Sequence, residues 1–257
     1  MGRLENKVAL VTGGARGIGR GIALCLAAEG ADIVVLDSDL TGVDDEVTAA
    51  VAAHGRRTHV IQADAGSREE MESAFCDAID HFGRLDIAVA NAAHSVRELV
   101  IEAKWENVRR TIEVTQFGVF HTCQLAAQQM VKQGEGGKII ITGSVHQEFP
   151  FAMSAAYNMA KAAINHLART MAGEVAQHKI NVNVINPGWI NTPGERKYSS
   201  KEDIAEGGKL VPWGRIGEPE DIGRTAAFLA SSDADYITGA SIKVDGGFLS
   251  GLKKPEK

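Results

Sequence analysis

The stretch Val8-Ala9-Leu10-Val11-Thr12-Gly13-Gly14-Ala15-Arg16-Gly17-Ile18-Gly19 joins an apolar β-type run to a glycine turn that leads straight into residues of helical period. Strand, glycine turn and helix in that order form a cradle for a phosphate. Glycine lets the backbone turn tightly and approach an anion closely, and the free N–H groups at a helix N-terminus then face the charge. The spacing is GxxxGxG, which differs from both the GxGxxG of the common dinucleotide fingerprint and the Gly-Lys-Ser/Thr of a P-loop.

Working outward, short β-type runs recur at Val8 to Val11, Ile33 to Leu36, His59 to Gln62, Ile87 to Ala90, Lys138 to Ile141, Asn181 to Ile185 and Ser241 to Val244. Between them lie helical periods at Gly17 to Ala28, Glu69 to Phe82, Thr111 to Val131, Ala155 to Ala176 and Pro219 to Leu229. Alternation of this kind predicts an α/β fold, doubly wound and Rossmann-like. Its sheet has seven parallel strands with helices on both faces. Ile33-Val34-Val35-Leu36 is apolar at consecutive positions, as burial on both faces requires. No Pro-, Gly- or Ser-rich linker and no repeat divides the chain, so residues 1–251 read as a single catalytic domain. Residues 191–213 lack a strong period and read as a substrate-binding loop or short-helix flap, and the charged residues 252–257 as a frayed tail.

Composition excludes several classes. The 257 residues carry a net charge of -6, which repels nucleic acid, and no apolar run approaches the length of a membrane span. Cys25, Cys76 and Cys123 form no CxxC pair and read as buried small hydrophobes in a reducing compartment. Met1 to Lys7 has no apolar segment like that of a signal peptide, and Asn6 breaks the myristoylation pattern begun by Met1-Gly2. A cytoplasmic protein is expected. The histidines and cysteines never cluster at ligand spacing, so no metal site is expected.

The second β-run ends at Leu36-Asp37, with Asp37 18 residues beyond Gly19. At that distance an acid can take the ribose hydroxyls of a bound dinucleotide, and its charge repels the 2′-phosphate of NADP. Asp37 therefore predicts a preference for NAD. Arg16, a basic residue in the glycine turn, could reach a 2′-phosphate and keeps NADP open.

Tyr157 and Lys161 are four apart in a helical stretch, hence on one face and within reach of one ligand. A lysine cation near a phenol lowers the phenol's pKa toward a value useful at neutral pH. Ser144 follows the β-run ending at Ile141 and lies 13 residues before Tyr157, so its hydroxyl could share a substrate oxygen with the phenol.

With Thr12-Gly13-x-x-x-Gly17-Ile18-Gly19, Asp64, Asn91-Ala92, Ser144, Tyr157-x-x-x-Lys161, Asn186-Pro187-Gly188 and Asp245-Gly246-Gly247, the chain closely resembles the short-chain dehydrogenase/reductase family over nearly its whole length. The resemblance implies a CH–OH oxidoreductase that uses NAD or NADP, with Ser144, Tyr157 and Lys161 catalytic. It further implies cofactor contacts from Gly13, Arg16, Gly17, Ile18, Gly19, Ala65, Pro187 and Gly188. Asp64 would face the adenine, Asn91 would sit beside the cofactor, and Ile190 and Thr192 would meet the nicotinamide. Lys161 would also hold the nicotinamide ribose. In this family the helices corresponding to Thr111–Val131 and Ala155–Ala176 form the dimer contact, and a homotetramer is implied.

Two positions depart from the pattern. Ala93 stands where the family has Gly, and Thr115 stands where it has the Asn that supports a water-mediated proton route to the lysine. The Thr115 hydroxyl would have to serve in that relay. Both departures feed a competing reading, a cofactor-binding protein that no longer turns over.

Ser144-Val145-His146, Ile190-Asn191-Thr192-Pro193 and Gly217 to Ile222 are similar to the corresponding stretches of glucose 1-dehydrogenase-like members. His146, Gln147, Glu148 and Asn191 would then make a polar pocket for a sugar or polyol. The nearby Phe149, Phe151, Met153 and Trp189 could instead line an apolar pocket, as a 3-oxoacyl or other ketone reductase would need.

Overall fold

The protein, seen in a computed structural model that describes residues 2–41, 44–197 and 200–250, alternates strand and helix. In chain order the main elements are β1 (Val8–Thr12), α1 (Gly17–Ala28), β2 (Asp32–Asp37), α2 (Asp44–Ala52), β3 (Thr58–Gln62), α3 (Arg68–Phe82), β4 (Ile87–Ala90) and α4 (Trp105–Ile112). After a π-helical turn at Glu113–Phe117 follow α5 (Gly118–Gln133), β5 (Gly137–Thr142), α6 (Ala155–Val175), β6 (Ile180–Pro187), α7 (Lys201–Leu210), α8 (Pro219–Ala230) and β7 (Ser241–Val244). The strands form one parallel sheet in the order β3-β2-β1-β4-β5-β6-β7. This is the single Rossmann-like domain that the alternation predicts.

Each central strand feeds two cores. Val34 and Leu36 of β2 pack with Met71, Phe75 and Ile164 on the side of α3, α5 and α6. Ile33 and Val35 pack with Ile22, Leu26, Val51 and Ile222 on the side of α1, α2 and α8. Alternate side chains of a strand point to opposite faces, so a strand covered on both sides must be apolar throughout. The chain reverses its winding direction between β1 and β4, which opens a crevice at the strands' carboxyl ends.

Glycines fix the seating of α1. A Cβ on Gly21 would lie 2.5 Å from Pro219 Cβ, and one on Gly223 2.5 Å from Gly21 O, so α1 and α8 meet nearly backbone to backbone. A Cβ on Gly19 would stand 2.0 Å from Gly13 O. Gly19 is therefore required for packing the turn against its own helix.

The structure corrects several sequence readings. The period over Thr111–Val131 is broken by the π-helical turn, where Thr115 bonds to another loop and Gly118 comes so close to Ala65 that a Cβ would stand 2.9 Å from its carbonyl oxygen. Periodicity alone does not register one extra residue in a helical turn. The short helices α2 and α4 also escaped the pattern, while α7 falls in the stretch read as a loop or short-helix flap. There α7 begins at a capping box in which Ser200 Oγ accepts from Asp203 N at 3.1 Å and Asp203 accepts from Ser200 N at 3.0 Å. The expected tail at 252–257 lies outside the described residues. Cys123 is buried and Cys25 half-buried, but Cys76 is exposed, because it falls off the Met71/Ala74/Phe75/Ala78 stripe of α3. No helix among the described residues is long and apolar enough to cross a membrane.

Candidate active site

One cavity of about 970 Å³ runs along the carboxyl ends of the central strands, and it brings most of the sequence-predicted residues together. Gly13, Arg16, Gly17, Ile18, Asp37, Asp64, Ala65 and Asn91 line the end at the glycine turn, and Ser144, His146, Tyr157, Lys161, Pro187, Gly188 and Ile190 line the other, while Thr192 stands against Gly17, 3.5 Å from where a Cβ there would lie.

At the first end Gly13 and Gly17 hold φ values of 62° and 54°, which side chains disfavour, so the turn depends on glycine there. Asn91 staples the turn to β4. Its Nδ2 donates to Thr12 O at 3.0 Å and Gly13 O at 3.1 Å, while Thr12 Oγ1 accepts from Asn91 N at 3.0 Å. The Asp37 carboxylate accepts from Ala15 N at 3.2 Å and Asp39 N at 3.3 Å. Arg16 is tied to Asp39 at 3.0 Å. Asp64 pairs with Arg110 at 2.8 Å and accepts from Gly66 N at 2.9 Å.

At the other end Ser144 caps the short turn Val145–Gln147 and accepts from His146 N at 3.2 Å. Its own backbone N–H donates to Asn186 Oδ1 at 3.0 Å. Asn186 is fully buried; it also accepts from Asn165 Nδ2 at 3.1 Å and donates to Ser241 Oγ at 2.7 Å, and Ser241 Oγ donates on to Asn165 Oδ1 at 2.8 Å. Every member of this buried ring is satisfied, so it rigidifies the strand ends that seat Ser144.

Lys161 Nζ donates to Thr142 O at 2.6 Å and lies 5.4 Å from the centre of the Tyr157 ring. Burial pushes the Lys161 ammonium down to about 7 and the Tyr157 phenol up to about 12, against a smaller downward pull on the phenol from Ser144. Burial thus outweighs the expected lowering of the phenol by a neighbouring lysine cation. In a dry pocket both charged forms are penalised, and an amine driven toward neutrality cannot stabilise a phenolate.

A test of stability against pH follows. Lys161 keeps its proton to about 10.4 in the unfolded chain but only to about 7 when folded. Between those values the unfolded state binds the extra proton, so unfolding free energy climbs as pH rises. Below pH 7 the folded protein carries the full cost of the buried ammonium. Lys161→Met is expected to raise the Tm of the ligand-free protein by several degrees at pH 6, with the gain fading toward pH 10. Calorimetry across that range checks it; a gain independent of pH would overturn it.

Three predicted site residues stand elsewhere. Thr115 is fully buried and outside the cavity lining, and its hydroxyl donates to His94 O at 2.8 Å and accepts from His94 N at 2.9 Å. Its one hydrogen thus anchors the loop after β4, which corrects its assignment to a relay reaching Lys161. Asn191 lies outside the lining because its amide is engaged by Glu218 at 3.2 Å and Arg196 at 3.0 Å. Gly19 faces its own turn rather than the cavity. Gln147 and Glu148 also turn away, Glu148 to Lys243 at 2.9 Å.

Sequence reading missed His94, Arg97, Lys197 and Phe248 in the lining. Arg97 meets Glu195 at 3.3 Å. Phe248 is brought back by Gly246 and Gly247, at φ 61° and 83°, and stacks on Phe151 with centroids 6.2 Å apart. The paired glycines of Asp245-Gly246-Gly247 were the available signal for that reversal.

The arrangement fits a nicotinamide dinucleotide. The cavity starts at a glycine turn on a helix N-terminus and ends at the trio Ser144, Tyr157 and Lys161. At its wall Thr142 Oγ1 and the Trp189 indole Nε1 are buried without hydrogen-bond partners, as polar atoms awaiting a ligand would be. Among the described residues, no three His, Cys, Asp or Glu side chains converge as a metal site would require.

Comparison with known proteins agrees with this geometry. A family model described as enoyl-(acyl carrier protein) reductase matches residues 13–249. The chain is 37% identical over 246 residues to 3beta-hydroxysteroid dehydrogenase 1 of Eggerthella lenta, covering 95% of this chain and 94% of that protein. It is 33% identical over 246 residues to glucose 1-dehydrogenase 2 of Bacillus subtilis, covering 95% of each. The crystal structure of acetoin dehydrogenase YohF from Salmonella typhimurium superposes with a TM-score of 0.87 at 35% identity, covering 98% of both chains. Glycine turn, cavity, trio and whole-length similarity lead to one conclusion: the chain belongs to the short-chain dehydrogenase/reductase family, oxidoreductases that act on CH–OH groups with a nicotinamide cofactor.

Proposed function

We propose that this enzyme is an NAD-preferring dehydrogenase that interconverts a secondary carbinol and its ketone on a sugar or polyol. The observation that carries this reading is a single cavity with Asp37 at one end and Tyr157, Lys161 and Ser144 at the other. NAD, when bound, supplies the hydride acceptor. In reduction Tyr157 gives its phenol proton to the ketone oxygen; in oxidation the phenol takes the carbinol proton as its own passes on toward Lys161 in the neutral form, and Ser144 orients the reacting oxygen by a second hydrogen bond. Lys161, with a pKa of about 7, exists in both protonation states near neutrality and so can exchange a proton beside the phenol. Asp37 receives the adenosine ribose hydroxyls, and its charge disfavours a 2′-phosphate.

A second reading, reduction of 3-oxoacyl or other apolar ketones, draws support from Phe151, Trp189 and Phe248 in the lining. A panel of sugars, polyols, secondary alcohols and ketones, followed by NADH and NADPH absorbance, separates the two. Turnover of polyhydroxylated substrates with NAD supports the first reading. Turnover confined to apolar ketones overturns it.

A further inference from the structure

The arginines that line the cavity are already committed to acids: Arg16 is paired with Asp39, Arg97 with Glu195 and Arg110 with Asp64. Lys161 is buried at the far end against Thr142 O, and Lys197 is exposed. A nicotinamide dinucleotide brings two negative charges on its pyrophosphate to the glycine turn. The N-terminus of α1 offers the equivalent of only about half a positive charge there. Near the turn, the group of the lining that can still become a cation is His94.

His94 is held firmly for such a role. The buried Thr115 hydroxyl accepts from His94 N at 2.9 Å and donates to His94 O at 2.8 Å, so one side chain grips the residue on both sides. The same loop leaves the glycine turn only two residues earlier. Asn91 Nδ2 donates to Gly13 O at 3.1 Å, and a Cβ on Gly13 would lie 3.0 Å from Ala92 Cα. Consecutive Cα atoms are about 3.8 Å apart, so His94 Cα stands at most about 7.6 Å from that of Ala92, which puts an anion on the turn within reach of the imidazole.

Among the described residues the imidazole makes no hydrogen bond, ion pair or ring contact, and neither of its nitrogens is a buried atom without a partner. The charged groups that face it are Arg110 on α4, Asp64 after β3 and Lys197 beyond β6. Burial is the main influence holding its pKa below the ordinary value; Arg110 and Lys197 push the same way, and Asp64 opposes them. The ring is therefore neutral at pH 7 in the ligand-free protein. Two phosphate charges arriving beside it reverse that balance, since they favour the charged imidazole and offset Arg110 and Lys197 at once.

We propose that His94 is a cofactor-binding residue: when a dinucleotide seats on the glycine turn, the imidazole takes a proton from solvent and holds the pyrophosphate as an imidazolium. The inference rests on the dinucleotide reading of the cavity and adds to it a proton taken up with the cofactor, distinct from the one that Tyr157 exchanges with substrate. By linkage, cofactor affinity is greatest at acidic pH and falls as the pH rises through the titration of the imidazole in the complex.

Calorimetry on the full chain tests this with ADP-ribose, which has the pyrophosphate but no nicotinamide, and with adenosine, which has no phosphate. Titrations at pH 7 in buffers of different ionisation heat count the protons. On binding ADP-ribose the wild type is expected to take up about half a proton more than His94→Gln, as a rise of about one pKa unit centred near 7 gives. With adenosine the two proteins should be alike. NADH fluorescence titrations should show wild-type affinity falling about five- to tenfold more than that of His94→Gln between roughly pH 6 and 8.5. Lys161 titrates in the same range in both proteins, so the difference isolates His94. Equal proton uptake or parallel pH profiles overturn the inference and leave the dinucleotide reading standing. Failure of the wild type to bind ADP-ribose or NADH overturns both. If the Tm shows that His94→Gln does not fold, proton NMR of the wild type decides, with the His94 ring signals assigned through the backbone. They must titrate at higher pH when ADP-ribose is bound, and an unmoved titration overturns the proposal.

Discussion

Tyr157→Phe is expected to lower kcat on the order of 10³-fold while NADH still binds within a few-fold of wild type, because only the proton-transfer group is removed. The phenyl ring still fills the same wall, edge-on to His146, so cavity shape and Tm should change little. Rapid-mixing assays beside fluorescence titration of NADH separate the two effects. The loss should appear in kcat and kcat/KM together, since the phenol acts on the oxygen as charge develops. Retention of most of the activity would mean that another group carries the proton, and the trio would lose its meaning.

The second large effect belongs to Asp37→Ala, which should move cofactor preference toward NADP by about 10²-fold in the ratio of kcat/KM values. Loss of hydrogen bonds to a charged group is worth roughly 1.5–3 kcal/mol, or about ten- to a hundredfold in NAD affinity. Relief of repulsion on the 2′-phosphate adds to this on the NADP side. Arg16 reinforces the change, since it lines the same end of the cavity and is held there by Asp39 rather than by Asp37. Parallel kinetics with both cofactors at fixed substrate decide it. An unchanged ratio would reduce Asp37 to a carboxylate that serves only the Ala15 and Asp39 amides.

Both predictions come from residues legible in the sequence, and the reasons are physical. A parallel sheet covered on both faces demands consecutive apolar residues, so Ile33–Leu36 announced its burial without any partner being known. The glycine turn was legible because a tight approach demands glycine, and Tyr157 and Lys161 because one helical turn brings them together. Thr115 and Asn191 misled because sequence position gives a side chain's address but not what its hydrogen-bonding atoms engage. Thr115 spends its one hydrogen on His94 O, and Asn191 is held by Glu218 and Arg196. The π-helical turn was invisible for a similar reason: it depends on the loop after β4 and on Ala65, both remote in sequence. His146 was legible as a polar candidate, and it does line the cavity, edge-on to Tyr157.

The buried ring of Asn165, Asn186 and Ser241 has a consequence for how the enzyme comes into being. Ser144 is seated by Asn186, and Asn186 is completed by Ser241 on β7, the last strand in the chain and an edge of the sheet. During synthesis, a nascent polypeptide can pair β1 with β2 and bury much of the first core long before residue 241 leaves the ribosome. Until that moment Asn186 Nδ2 and Asn165 Oδ1, both buried, lack their partner, and the ring that seats Ser144 is open. Competence for hydride chemistry should therefore be completed late in translation, after the glycine turn and its flanking strands are already in place.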